Sequence, residues 1–310
     1  MPEANGTFEA DVLAGLAAQP RAMSPKHFYD KVGSHLFEAI TELPEYYPTR
    51  TETALLSDAA PEIASYISDG ATLVEFGSGA SIKTRLILDA APQAAVYVPV
   101  DISEDALAAA AASIGADYPN LTVAPLAGDF TDDLELPQAA QGRPRTGFFP
   151  GSTIGNFEHE EALRFLRAAA HLLRSGAQFV IGVDLVKDPA VLVRAYDDAQ
   201  GVTAAFNKNL LARINRELDG DFDLTAFAHR AIWNPDRNRI EMHLVSLKDQ
   251  TARAAGRSFQ FAEGETIHTE NSHKFTPDGF SRLAEEAGWR TLKLWTSPEP
   301  AFAVFMLAAD

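Results

Sequence analysis

Thr72-Leu73-Val74-Glu75-Phe76-Gly77-Ser78-Gly79 decides the fold of this 310-residue chain. Five residues of strand character run into a glycine pair, and a stretch of helical period, 80–90, follows. Glycine at that junction lets the backbone take a positive φ and approach a ligand closely, so the segment reads as the opening unit of a parallel sheet. The pattern repeats downstream. Short apolar runs at 95–100, 121–126, 145–149 and 177–183 alternate with helical periods at 104–114 and 158–173, the signature of a doubly wound α/β domain. Beyond 187 the character changes. Helical stretches at 190–196 and 202–218 lead to apolar segments 224–233 and 239–247, which flank Asn234-Pro235-Asp236-Arg237-Asn238 as an antiparallel hairpin would. A helix opening at Thr276-Pro277 and closing at Gly288, then strands at 290–295 and 301–308, return to the first pattern. The chain therefore reads as α/β, with one domain over 51–187 and 274–310 and an inserted α+β domain over 188–273, joined by 1–50.

Residues at successive strand ends carry the first functional hint. Gly77-Ser78-Gly79 is an incomplete dinucleotide fingerprint, because Ile82 stands where a third glycine would be, and this favours a ligand without phosphate. Asp101 ends the second strand, 24 residues after Gly77, where a carboxylate accepts both hydroxyls of a ribose. An NAD enzyme carries the same acid. Gly128-Asp129-Phe130, after the third run, offers a carboxylate for an adenine amino group and an aromatic face for its ring. Lys83, one helical turn beyond the glycines, is placed to meet a carboxylate. Together they point to a nucleoside ligand and resemble the pattern of class I methyltransferases.

Composition narrows the field. With 46% apolar and 22% charged residues the chain is an ordinary globular one. A formal charge of −17 repels phosphate backbones and anionic lipid, so neither nucleic acid nor a membrane surface is expected as partner. The absence of cysteine excludes disulfides and thiolate chemistry. The eight histidines show no metal-ligand spacing, His268 and His273 standing five apart, and no metal is expected. No run approaches the roughly 20 apolar residues of a membrane span, and the first residues lack a basic start with an apolar core. The chain reads as a cytoplasmic monomer.

Several further segments are similar to one family, the S-adenosylmethionine (SAM)-dependent L-histidine Nα-methyltransferases of ergothioneine biosynthesis. They are His27-Phe28-Tyr29-Asp30 with Gly33-Ser34, the block from Leu43-Pro44-Glu45-Tyr46-Tyr47 to Thr51-Glu52, Phe149-Pro150-Gly151-Ser152-Thr153-Ile154-Gly155-Asn156, Tyr196-Asp197-Asp198, Gly201 through Asn207, Ile240-Glu241-Met242 and Thr269-Glu270-Asn271-Ser272-His273-Lys274-Phe275. The likeness runs from about residue 24 to 307. It implies a class I, Rossmann-like methyltransferase domain with an inserted substrate-binding domain. It further implies that Tyr29, Gly77, Lys83, Asp101, Asp129 and Phe130 line the SAM site. Asn156 and Tyr196 would hold the amino acid's carboxylate and amine, helped by Gly151 and Thr153. Tyr46, Glu270 and Ser272 would read the imidazole, with Met242 packed against it. Asn156 and Tyr29 are the expected catalytic pair. The implied reaction is trimethylation of L-histidine to hercynine; the alternative is a related enzyme acting on another amino acid or on a histidine ring nitrogen.

The chemistry suits these side chains. Transfer from a sulfonium is an in-line displacement at carbon, and the donor is already activated, so the protein has mainly to align the nucleophile and exclude water. The Asn156 amide can accept from the amine and donate to the carboxylate. Glu270 accepting from an imidazole N–H, with Ser272 and Tyr46 nearby, makes a slot for a two-nitrogen ring, which a phenyl or indole ring would leave unsatisfied. On this reading the amino acid lies in the crevice between the two domains.

Overall fold

In a computed structural model, residues 8–77, 82–130 and 134–310 are described, the side chains at 105 and 106 aside. The chain begins with helix α1 (Phe8–Ala17), strand β1 (Arg21–Ala22), and helices α2 (Lys31–Thr41) and α3 (Tyr47–Ala64). Then come β2 (Thr72–Phe76), α4 (Ile82–Ala90), β3 (Val96–Asp101), α5 (Glu104–Asp117), β4 (Thr122–Val123), β5 (Leu126–Ala127), β6 (Arg145–Phe149), α6 (His159–Leu173) and β7 (Gln178–Asp184). Helices α7 (Pro189–Tyr196) and α8 (Val202–Glu217) precede strands β8 (Phe227–Asn234), β9 (Arg239–Ser246), β10 (Gln250–Ala254), β11 (Arg257–Phe261) and β12 (Thr266–His273). Helix α9 (Pro277–Glu286) and strands β13 (Trp289–Thr296) and β14 (Phe302–Ala309) close the chain.

These elements form two compact units, one of residues 1–47 and 187–273, the other of 48–186 and 274–310. The second unit is built on the sheet β13-β14-β7-β6-β2-β3-β4, with β5 beside β3. Strands β2, β3, β4, β5, β6 and β7 run parallel, and β14 is antiparallel to both β7 and β13. Chain order reverses between β2 and β6, which makes that point the topological switch where ligands of open α/β sheets bind. The strands read as continuous apolar runs because both faces are covered: β2 and β6 are buried at every position. The expected strand 121–126 is two short pieces instead, since Pro125 has no N–H to give the ladder. The helix begun by Glu158 carries a full capping box with Glu161.

Where β7 ends, the outgoing and returning chain lie side by side. Asp184 and Lys274 form a 2.9 Å ion pair with side chains 1% and 0% exposed. Phe275 donates its N–H to the Asp184 carbonyl and Val186 donates to the Phe275 carbonyl, both at 3.0 Å.

The first unit centres on the sheet β1-β12-β9-β8, in which β12 and β8 flank β9 antiparallel and β1 joins β12 parallel. Ile240, Met242 and Leu244 of β9 point into one core with Leu192 and Ala195 of α7 and Phe206, Leu210 and Ile214 of α8. Alternation sends Arg239, Glu241 and His243 to the opposite face. A short hairpin, β10-β11, turns at Ala255-Gly256, both with positive φ. Among the described residues no helix is long and apolar enough to cross a membrane.

Candidate active site

In the 48–186/274–310 unit the expected nucleoside residues stand at the carboxyl ends of neighbouring parallel strands. Gly77 follows β2 with φ +75°, and a Cβ there would lie 4.0 Å from Phe130 Cε1. A side chain would both strain the turn and fill the space in front of the ring. Ser78 and Gly79 lie outside the described residues, as do 80 and 81 of the expected helix. Asp101 ends β3 half-buried, its Oδ1 accepting from Ser103 N at 3.0 Å. Asp129 and Phe130 follow β5, and the Phe130 ring packs against Phe149 at 5.6 Å and Phe165 at 5.5 Å between centroids. An aromatic cluster therefore fixes its position. Glu75, the acid beside the glycines, turns into the sheet instead. It is 2% exposed, takes bonds from the Thr84 and Tyr97 hydroxyls, and burial pushes its carboxyl up to about 7.

The loop after β6 puts Thr153 and Asn156 in a single turn of 3₁₀ helix, Thr153–Asn156, with Gly151 just before its Ser152 cap. Thr153 Oγ1 donates to the Pro150 carbonyl at 3.1 Å. Ser152 Oγ accepts from the Asp184 N–H at 2.8 Å. The residue that anchors this loop was invisible as such in the sequence: Glu52 of α3, 0% exposed, accepts from Gly151 N with both oxygens, at 2.9 and 2.8 Å. Lys83, expected near the cofactor's carboxylate, donates to the same carboxylate. Glu52 fits only because position 182 is glycine, whose Cβ would fall 1.9 Å from Glu52 Oε1.

In the 1–47/187–273 unit the expected substrate residues converge on one face of the sheet. Glu270 and Ser272 alternate along β12, and Glu270 stands directly across from Met242 of β9. The Tyr196 hydroxyl and Ser272 Oγ are 2.7 Å apart, and the Tyr46 ring meets the Tyr196 ring edge-on at 6.1 Å. Tyr29 precedes the helix-capping Asp30, which Asn209 and Arg216 of α8 hold in place. Although Tyr29 leaves 42% of its surface exposed, its phenol is held well above the ordinary range, by burial first and then by the charge of Glu270 and its tyrosine neighbours. Glu270, Tyr46 and Tyr196 are the titratable groups that act on its hydroxyl.

Two residues behind Tyr196 had no assigned role. Asn207 Nδ2 donates to His229 Nδ1 at 2.8 Å, and His229 Nε2 donates to the Tyr196 carbonyl at 2.8 Å. An amide NH2 only donates, so His229 is the neutral Nε2–H tautomer, and burial lowers its pKa accordingly. Asp198 then caps α8 through Val202 N and Thr203 N, fixing the turn after Tyr196. The histidines also gather where their spacing gave no sign: one ligand atom each from Glu241, His243 and His268 lie within 4.8 Å of one another, on the sheet face opposite Glu270.

The sheet is doubly wound, with β14 antiparallel between β7 and the edge strand β13, and Gly77, Asp101, Asp129 and Phe130 stand at or follow the carboxyl ends of β2, β3 and β5, the architecture of a SAM-dependent methyltransferase. The model of the histidine-specific, SAM-dependent methyltransferases matches residues 8–309. The chain belongs to that family. It is 47% identical over 300 residues to the histidine N-alpha-methyltransferase of Mycolicibacterium smegmatis, covering 95% of this chain and 92% of that one. It is 44% identical over 304 residues to the histidine N-alpha-methyltransferase of Mycobacterium tuberculosis, covering 96% and 94%. Among solved structures, the CcbJ methyltransferase of Streptomyces caelestis is similar with a TM-score of 0.49 and 15% identity, over 82% of this chain and 95% of that one.

Proposed function

We propose that this protein methylates the α-amine of L-histidine in successive steps to the trimethylated betaine, within ergothioneine biosynthesis. The observation that carries the substrate is the polar slot in which Glu270, Ser272, Tyr196 and Tyr46 meet across from Met242. A carboxylate and two hydroxyl types around an apolar thioether suit a flat ring with two nitrogens: Glu270 accepts from one N–H, Ser272 and Tyr46 satisfy the other, and Met242 packs on the face. An aromatic ring without nitrogens would strand the buried Glu270, 9% exposed, at a heavy cost.

The 48–186/274–310 unit suits SAM. Its first turn has an open glycine and begins α4 at Ile82, where a pyrophosphate ligand would call for a third glycine, and Asp101 stands at ribose position. SAM, when bound, supplies an electrophilic methyl on a sulfonium. Asp101 would hold the ribose hydroxyls, Asp129 the adenine amine and Phe130 the ring, with Gly77 giving access and Lys83 meeting the carboxylate. Asn156 would orient the amine's lone pair by accepting from its N–H and donating to the carboxylate, with Tyr196, Gly151 and Thr153 completing that grip. Tyr29, whose phenol stays protonated well past neutral pH, would act as a hydrogen-bond donor and aromatic neighbour to the nitrogen as it gains positive charge. In this reading the 187–273 segment with 1–47 is the substrate domain, and the protein acts alone on a small molecule in the cytoplasm.

Incubation of the protein with SAM and histidine, followed by mass spectrometry, should show products gaining one, two and three methyls. Carbon–proton NMR should place them on the α-nitrogen. Absence of any gain, or methyls confined to the ring, overturns the proposal.

A further inference from the structure

The sheet that presents Glu270 and Met242 has a second face, and it is neither apolar nor evenly polar. Glu241 and His243, two apart on β9, point the same way, and His268 of β12 is the register partner of His243. Their rings stack at 4.8 Å with 23° between planes. His243 Nε2 stands 3.2 Å from Glu241 Oε2, close to the about 3.3 Å that separates two ligands of a tetrahedral ion with 2.0–2.1 Å bonds. Glu241 Oε1 is already held by Asn234 Nδ2 at 2.9 Å and by Arg239 Nε at 2.8 Å, so the carboxylate is oriented with Oε2 toward the histidines.

Protonation suits a cation as well as geometry does. His268 Nε2 donates to the Glu270 carbonyl at 3.1 Å, and the ring also meets the Asn271 side chain, which an ion on Nδ1 would have to displace or share. His243 is 9% exposed, and its Nε2 faces the Glu241 carboxylate, so with the proton on Nδ1 its Nε2 lone pair points at the same space as Glu241 Oε2.

We propose that Glu241, His243 and His268 form a binding site for a divalent cation of the zinc class, with water as the remaining ligand. Two nitrogens and one oxygen are the donor set of a borderline cation rather than of magnesium or calcium. The site takes no part in methyl transfer. It lies on the reverse of the slot, bridging β9 to β12 at the irregular register between His268 and Glu270, and a bound ion would pin the two strands that carry Met242 and Glu270. The Arg239 guanidinium on Glu241 weakens the attraction for a cation, so affinity in the micromolar range is expected rather than that of a dedicated four-ligand site.

The test uses the full chain, stripped with a chelator and exchanged into buffer at pH 7.5. Zinc is titrated in competition with a chromophoric indicator, cobalt is added separately to read its visible absorption, and thermal unfolding is followed with and without zinc. One equivalent of zinc should bind, cobalt should give the intense band of a low-coordinate site, and zinc should raise the melting temperature. His268→Gln, at a half-exposed position outside the slot, should weaken zinc by more than about tenfold and abolish the cobalt band. Glu241→Gln should do the same; because it also strips Arg239 of its partner, the His268 variant decides the matter if that protein fails to fold. No one-equivalent binding below about 100 μM, a free energy of only some 5.5 kcal/mol, overturns the site. Unchanged binding in His268→Gln also overturns it, since the ion would then sit elsewhere.

Discussion

Replacing Glu52 with glutamine tests the anchor behind the Gly151 loop. Glu52 is fully buried and serves two donors, the Gly151 N–H and the Lys83 ammonium. A glutamine keeps one acceptor oxygen but turns an NH2 toward one of those donors, and it leaves Lys83, whose side chain is only 16% exposed, without a counter-charge. Breaking a buried pair from one side costs about 3–5 kcal/mol, and the partial exposure of Lys83 puts the expectation at the lower end, about 3 kcal/mol. For a unit of this size that lowers the melting temperature by roughly 6–12 °C. A second variant, Glu52→Gln with Lys83→Met, removes the stranded cation and should recover at least about 1 kcal/mol of the loss, read from urea unfolding as a double-mutant cycle. Calorimetry should show histidine affinity falling in the single variant, because the Gly151 turn loses its clamp. A single variant within about 1 kcal/mol of the native protein, or a cycle with no coupling, would refute the reasoning.

Other outcomes follow from the same geometry. Glu75 is held neutral in the folded protein up to about 7, against an ordinary 4.5. Its contribution to stability is complete below the ordinary value and is lost as pH rises through 7, a change of about 3 kcal/mol. Glu75→Gln should therefore unfold at higher urea than the native protein at pH 8.5 but not at pH 4.5, and a pH-independent difference would count against the assignment. Glu270→Ala should reduce kcat/KM for histidine by roughly 10- to 150-fold, the worth of a charge-assisted bond, while SAM affinity by calorimetry stays within twofold or so. Asn207→Leu should free His229 and with it the Tyr196 carbonyl, raising KM for histidine about tenfold with a smaller effect on kcat; equal losses in both, or none, would remove Asn207 from the support of Tyr196.

The sheet was legible in the sequence because burial on both faces writes its strands as unbroken apolar runs, so 72–76 and 145–149 coincide with β2 and β6. The β10-β11 hairpin was not, because it turns on Ala255-Gly256 and an alanine at positive φ carries none of the usual Asn-Gly signal. Glu52 lies in the block that ends Thr51-Glu52, yet its task depends on a contact 99 residues away. The Glu241, His243 and His268 cluster is invisible to spacing for a related reason: it exists only in the register that sets 243 against 268. Local pattern reports elements and turns; which side chains face each other across strands is decided by pairing, and a single sequence does not print that.

The seam at Asp184, Lys274 and Phe275 has a consequence for how such a protein diversifies. Residues 187–273 leave the chain after Val186 and return to it at Lys274, where the outgoing and returning strands are already bonded to each other. Exchange of that segment between relatives would cut the chain at two positions that lie side by side. The cassette does not travel by itself, however. Strand β1 is zipped to β12 and Asp30, at the head of α2, is fastened to α8, so a transplant of new substrate taste succeeds only if residues 8–47 move with it.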